Sequence, residues 1–266
     1  MNIYKKELSL LRSSMLAWTG VLVLLILMFL TIYPQFTKDV ETTRHLLGTL
    51  SAQIRDMVGL SIDNFFSFLG FYAYTFTYLT LAGAIQAMNL GLGMLSKESH
   101  SKTTDFLLTK PVTRSRIFIA KFAAVLTVIG ITNIVLHTVT YMLANVFGVG
   151  DFDTNIFMLL AATFLLVQLW FVACGILVSQ LVGRIKSTIS WSLSIVFGLY
   201  IVGLLGSLLS DEDIRYFTPF KYFDLMKIIE NASYEAVFVW LLINFIVMAI
   251  SVSWRRYNTK DIPSAT

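Results

Sequence analysis

Ser14-Met-Leu-Ala-Trp-Thr-Gly-Val-Leu-Val-Leu-Leu-Ile-Leu-Met-Phe-Leu-Thr-Ile-Tyr33 contains no charged residue. As a helix rising 1.5 Å per residue it would cover about 30 Å, the thickness of a bilayer's hydrocarbon core. Five further apolar stretches follow: Phe65–Leu95, Ile117–Phe147, Asn155–Val182, Thr188–Leu209 and Ala236–Trp254. The second and third are longer than a crossing requires, so they should tilt or project beyond the membrane. Across 266 residues, 56% are hydrophobic and 14% charged, with a mean hydropathy of +0.74. Soluble domains average about 45–50% apolar and about 25% charged. A water-soluble core of this size could not hide the excess, so the expected class is an all-α polytopic membrane protein with six transmembrane helices.

The first stretch follows Lys5, Lys6 and Arg12, as a secretory leader would. Its apolar run is long for a leader, and Tyr33-Pro34-Gln35 lacks a small-residue cleavage site, so it reads as an uncleaved span.

Lys and Arg set the orientation. With the amino terminus inside, the inner segments hold Lys5, Lys6, Arg12, Lys97, Lys102, Lys110, Arg114, Arg116, Lys121, Arg184, Lys186, Arg255, Arg256 and Lys260. The outer segments hold only Lys38, Arg44, Arg55, Arg215, Lys221 and Lys227, together with most of the acidic residues. That asymmetry predicts both termini in the cytoplasm of a multi-pass plasma-membrane protein. Five or seven spans would break it.

Three flanking segments carry their own signals. In residues 1–12, Ile3, Tyr4, Leu8 and Leu11 alternate with Lys5, Lys6 and Arg12, the pattern of a short amphipathic helix along the inner interface. The outer segment 34–64 repeats Leu47, Leu50, Ile54, Met57 and Val58 at helical spacing. The second outer segment, 210–235, mixes acids with Tyr216, Phe217, Phe220, Tyr222 and Phe223 around Pro219, as interface-seated chain does. Either outer segment could be a plain connector or a gate.

Little in the spans points to chemistry. No acidic or basic residue lies deep in any of them, whereas ion-coupled carriers usually need such groups. Gln86, Asn89, Asn133, His137 and Gln168 are the main polar residues there. Asn133 and His137, four apart on one helix face, could relay protons or contact a polar cargo; interhelical hydrogen bonding accounts for them more simply. Ala87 and Gly91 allow close helix approach, either within the fold or in a dimer. A lone Cys174 and three histidines give no basis for a disulfide or a metal site. Gly91-Leu-Gly-Met-Leu-Ser-Lys97 and Gly183-Arg-Ile-Lys-Ser187 fall short of a phosphate-binding loop, and no catalytic motif is evident. The chain therefore reads as a non-enzyme with no cofactor of its own.

The most informative connector is 97–116. Thr103, Thr104 or Asp105 can start a short helix bearing Phe106, Leu107 and Leu108; Pro111 stops it, and Thr113 can cap a helix beginning at Arg114. Held under the membrane, such an apolar patch suits docking of another protein, or tucks against the spans above.

Glu98, Thr104 (or Thr103), Leu108, Pro111, Val112, Thr113, Arg114 and Lys121 together resemble the signature of type-2 permeases of bacterial ATP-binding cassette (ABC) exporters. Pro219-Phe-Lys-Tyr-Phe-Asp224 is also similar to bacterial members. The resemblance implies a type V exporter-like fold in which 1–12 is the interfacial helix (Tyr4, Lys5, Lys6, Leu8) and Ser99–Lys110 the coupling helix. It implies that Glu98, Thr103, Thr104, Asp105, Phe106, Leu107, Leu108, Pro111, Thr113 and Arg114 receive a separate ABC ATPase. Two such ATPase chains, carrying ATP and Mg, would serve two permease chains, identical or sister. No nucleic-acid partner is implied. The second and fifth spans would line the route, which nominates Phe68, Phe71, Tyr72, Phe76, Gln86 and Asn89 as a substrate path. An aromatic, nearly uncharged route suits export of an amphipathic peptide, antibiotic or lipid-like molecule. The competing functions are an ion-coupled secondary transporter using Gln86, Asn133 and His137, and a non-transporting assembly factor.

Overall fold

The computed structural model describes residues 3–52, 54–55, 60–101, 113–147, 152–182, 185–209 and 211–259, without the side chains of 63 and 97–101. No strand occurs among them. The helices are α1 (Ile3–Lys38), α2 (Val40–Gly48), α3 (Ile62–Phe65), α4 (Phe68–Ser101), α5 (Arg114–Val146), α6 (Thr154–Leu181), α7 (Thr188–Leu209), α8 (Leu225–Asn231) and α9 (Ala236–Thr259). Two 3₁₀ turns, Glu212–Phe217 and Pro219–Lys221, join α7 to α8. Six of these helices, α1, α4, α5, α6, α7 and α9, are long and apolar enough to cross a membrane.

Capping chemistry sets several starts. The Thr113 hydroxyl accepts from the Arg116 N–H and opens α5 at Arg114, as the sequence predicts. Asp153 caps α6 through the Asn155 and Ile156 N–H groups, and Asp224 does the same for α8.

α4 and α6 pack most extensively and form the centre of the bundle; α1 lies along α5, α7 against α4, and α9 against α6. The central contact depends on glycine. A side chain at Gly91 would collide with the Val172 carbonyl oxygen, and one at Gly175 would come within 2.7 Å of the Met88 carbonyl oxygen. The backbones of α4 and α6 meet there, so the Ala87/Gly91 pair serves packing inside this chain.

A ladder of polar side chains runs above that crossing. Gln86 Nε2 donates to Thr132 Oγ1 (3.1 Å), and Gln168 Nε2 donates to Gln86 Oε1 (3.2 Å) and the Gly83 carbonyl (3.4 Å). Asn133 Nδ2 donates to Gln168 Oε1 (2.6 Å), the Thr19 and Thr132 hydroxyls pair at 3.0 Å, and Tyr72 OH meets His137 Nδ1 at 3.2 Å. Four helices are thus cross-linked where water is excluded, each bond contributing about 0.5–2 kcal/mol.

One expectation changes. The expected helix over 1–12 is not separate in its described part, because Ile3–Arg12 runs without a break into the first span as α1. Two contacts show how those turns lie: Thr19 touches Thr132, yet Tyr4 OH reaches Thr127 Oγ1 at 3.0 Å. Fifteen residues of a straight α1 beside α5 would rise about 22 Å, against about 8 Å for the five residues from Thr127 to Thr132. The first turns of α1 therefore lean across α5. At its other end α1 continues through Pro34 to Lys38, since Phe36 packs on Phe65 and Phe71 and holds the last turn.

The residues nominated as a substrate path lie inside the subunit. Phe68, Phe71, Tyr72, Phe76 and Gln86 are buried in the subunit, at no more than 3% exposure, and Asn89 is half-buried. Phe71 packs on Tyr33, Phe36 and Phe65; Tyr72 on Phe157; Phe76 on Phe164; Phe68 on Phe152. Because α4 sits at the bundle's centre, these aromatic side chains pack into the core of the subunit.

Candidate functional site

Four helix ends converge at one end of the bundle, termed the base here. Arg114, the first residue of α5, donates through Nη1 to the Tyr257 (3.5 Å) and Asn258 (3.4 Å) carbonyls in the last turn of α9. Carbonyls there lack intrahelical partners and carry the negative end of the helix dipole, so a guanidinium fits both needs. Ser115 Oγ adds a bond to Asn258 Oδ1 at 3.1 Å, and Phe118 packs on Tyr257.

Two turns further along α5, Lys121 is 5% exposed. Its ammonium donates to the Met94 carbonyl of α4 (3.3 Å) and pairs with Glu7 of α1 (3.0 Å). The beginnings of α1 and α5 and the ends of α4 and α9 thus form a braced frame. The connector between α4 and α5 leaves and re-enters the bundle through it.

Thr113 and Arg114, both nominated from the sequence, stand in this frame. Tyr4 contacts α5, Leu8 packs against the core, and Lys5 and Lys6 are exposed. Thr103, Thr104, Asp105, Phe106, Leu107, Leu108 and Pro111 lie outside the described residues, and so does the side chain of Glu98. Glu7 was not nominated; nothing in its local pattern marks it, and its partner lies more than a hundred residues away.

At the opposite end, residues 211–235 form a folded cap. Arg215 pairs with Glu235 and Glu212 and lies over the Phe238 ring at 4.3 Å, while Lys227 pairs with Glu235 at 3.1 Å. Partial burial pushes the Glu235 carboxyl up, but its bonds and charges shared with Arg215 and Lys227 outweigh that and hold it below the usual glutamate range. Beneath the cap is a cavity of about 70 Å³, lined by Phe76, Thr80, Thr163, Tyr200, Phe220 and Lys221 among others. The Thr80 hydroxyl, buried, has no hydrogen-bond partner among the described residues. Of the six nominated path residues, Phe76 is the one that lines this cavity.

Comparison with protein families gives a match over residues 1–262 to the family described as ABC-2 family transporter protein. The chain belongs to the ABC-2 transporter family. No curated protein matches it. As an ABC-2 permease it is a multi-pass membrane subunit, of a kind that associates with an ABC ATPase. The six long apolar helices are the architecture such a subunit needs. In this ABC-2 permease, the braced base ties together four helices that reach through the bundle.

Proposed function

We propose that this ABC-2 permease exports an amphipathic substrate from the cytoplasm, driven by ATP hydrolysed in a separate ATPase that docks on the 97–116 connector. The observation that carries the reading is the frame at the base. Arg114 holds α9, and Lys121 holds α1 and α4, so both roots of the connector are joined to helices that reach the far end. A push on the connector is then delivered to several helices at once.

The positive-inside distribution assigns the base to the cytoplasm and the cap to the exterior of the cell membrane. Two permease chains facing each other, each with an ATPase, complete the proposed exporter. The cavity under the cap supports an amphipathic cargo in chemistry: aromatic walls from Phe76, Tyr200 and Phe220 with threonine hydroxyls between them. Gln86 and Asn133 already bond to neighbouring helices, which favours a structural role for them over an ion relay.

Affinity purification from native membranes should recover a P-loop ATPase in stoichiometric amount. The double substitution Leu107→Asp with Leu108→Asp should abolish that recovery and transport while the permease still inserts. Transport that persists without ATP and collapses with the proton or sodium gradient would overturn the proposal.

A further inference from the structure

We propose that the Glu7–Lys121 ion pair is a latch that positions the first turns of α1 on the roots of α4 and α5, so that a displacement at the base moves α1 together with them. The idea rests on the ATPase-coupled reading above and adds to it a residue pair and a moving part. Three observations carry it.

Lys121 is buried and Glu7 half-buried, with side-chain exposures of 6% and 23%. Charges withdrawn from water contribute little net stability, and a pair of this kind is best understood where it fixes register or state. Lys121 also joins three helices at one nitrogen, since it bonds the Met94 carbonyl as well as Glu7. Finally, the first turns of α1 lean across α5, held by Tyr4 on Thr127 at one point and by Glu7 on Lys121 three residues later. Leu8 and Leu11 pack on the core beside them. Apolar packing alone would let this segment slide along α5; an ion pair with a defined partner sets its position.

The test uses nitroxide labels on the exposed residues Lys5 and Ile119, each changed to Cys in a Cys174→Ala background, in the full chain in lipid nanodiscs. The otherwise unaltered protein should give one narrow distance distribution. Glu7→Gln should broaden it, and the charge swap Glu7→Lys with Lys121→Glu should narrow it again. With the ATPase present, cargo moved per ATP hydrolysed should fall about five-fold or more in Glu7→Gln, the low end of couplings carried by two-state elements, and recover in the swap. A part that merely aids folding would alter yield and melting temperature but not this ratio. A distance distribution unchanged in Glu7→Gln, or an unchanged ratio, overturns the latch. The distance measurement needs only this chain, so it decides the latch's geometry even if no ATPase is found and the function proposed above fails.

Discussion

α4 and α9 both qualify as membrane spans, yet 72% of an apolar 18-residue stretch of α4 is buried inside the subunit and only 22% of such a stretch of α9. Hydrophobicity does not order them, because α4 is the least apolar of the six and the most buried. In water the reverse would hold. In lipid, an apolar side chain gains little by leaving the acyl chains, and helices associate where small residues permit contact and polar ones bond across. α4 has both, in Gly83, Ala87 and Gly91 and in Gln86. α9 buries only one face, Phe238, Leu242, Ala249 and Ser253, against α6, and polar contacts secure both its ends. Glu235 with Arg215 and Lys227 secures its start, and Arg114 secures its last carbonyls. Between them the stack of Trp170 on Phe245 (4.3 Å between centroids) is its closest ring contact. The centre is enclosed on several sides and cross-linked by polar side chains, whereas α9 packs by one face and carries its polar ties at its tips.

Glycine substitutions give the sharpest attempt to break this contrast. Gly91→Leu forces a side chain into the α6 backbone and should cost about 3 kcal/mol or more. Gly198→Ala on α7, where an added Cβ meets nothing within 4 Å, should be neutral or gain up to about 1 kcal/mol. Thermal unfolding in detergent, followed by circular dichroism, measures both; equal effects would erase the distinction.

A smaller difference is expected from the polar residues. Gln168→Leu removes bonds to Gln86, Asn133 and Gly83 and should destabilise by about 1–2 kcal/mol. Asn244→Leu on the exposed face of α9, where the amide bonds its own helix at Trp240, should change stability by less than about 0.5 kcal/mol.

The smallest effect concerns the tip of α9. Glu235 is held below its ordinary value of 4.5, so its pairing stabilises the cap fully above that value and is lost as the pH falls through the lower folded value. The hydrogen-exchange protection of residues 225–240, relative to intrinsic rates at each pH, should therefore fall on acidification below pH 4.5, and Glu235→Gln should remove that fall in protection. Exchange in α4 should not respond.

Much of this was legible beforehand. Charge-free apolar runs mark each of the six long helices, and Thr113 announces the start of α5 through capping chemistry alone. The aromatic residues of α4 were legible as aromatic but not as core, because a lipid-facing, a channel-facing and a helix-facing phenylalanine share one local pattern. Ala87 and Gly91 were equally ambiguous between a dimer contact and an internal crossing until Gly175 was found opposite. Lys121 stood out only as an early basic residue in a span, with no hint of Glu7.

Residue chemistry along the chain by itself determined that this protein lives in a bilayer, how often it crosses and which connectors carry positive charge. Each of those follows from transfer energies of single segments, which depend on local composition. Which helices meet, where Glu7 and Lys121 find each other and which aromatics are enclosed were decided only by the tertiary structure. Between helices in lipid the preference comes from backbone approach and matched polar groups, and those are properties of pairs of segments that no single stretch contains.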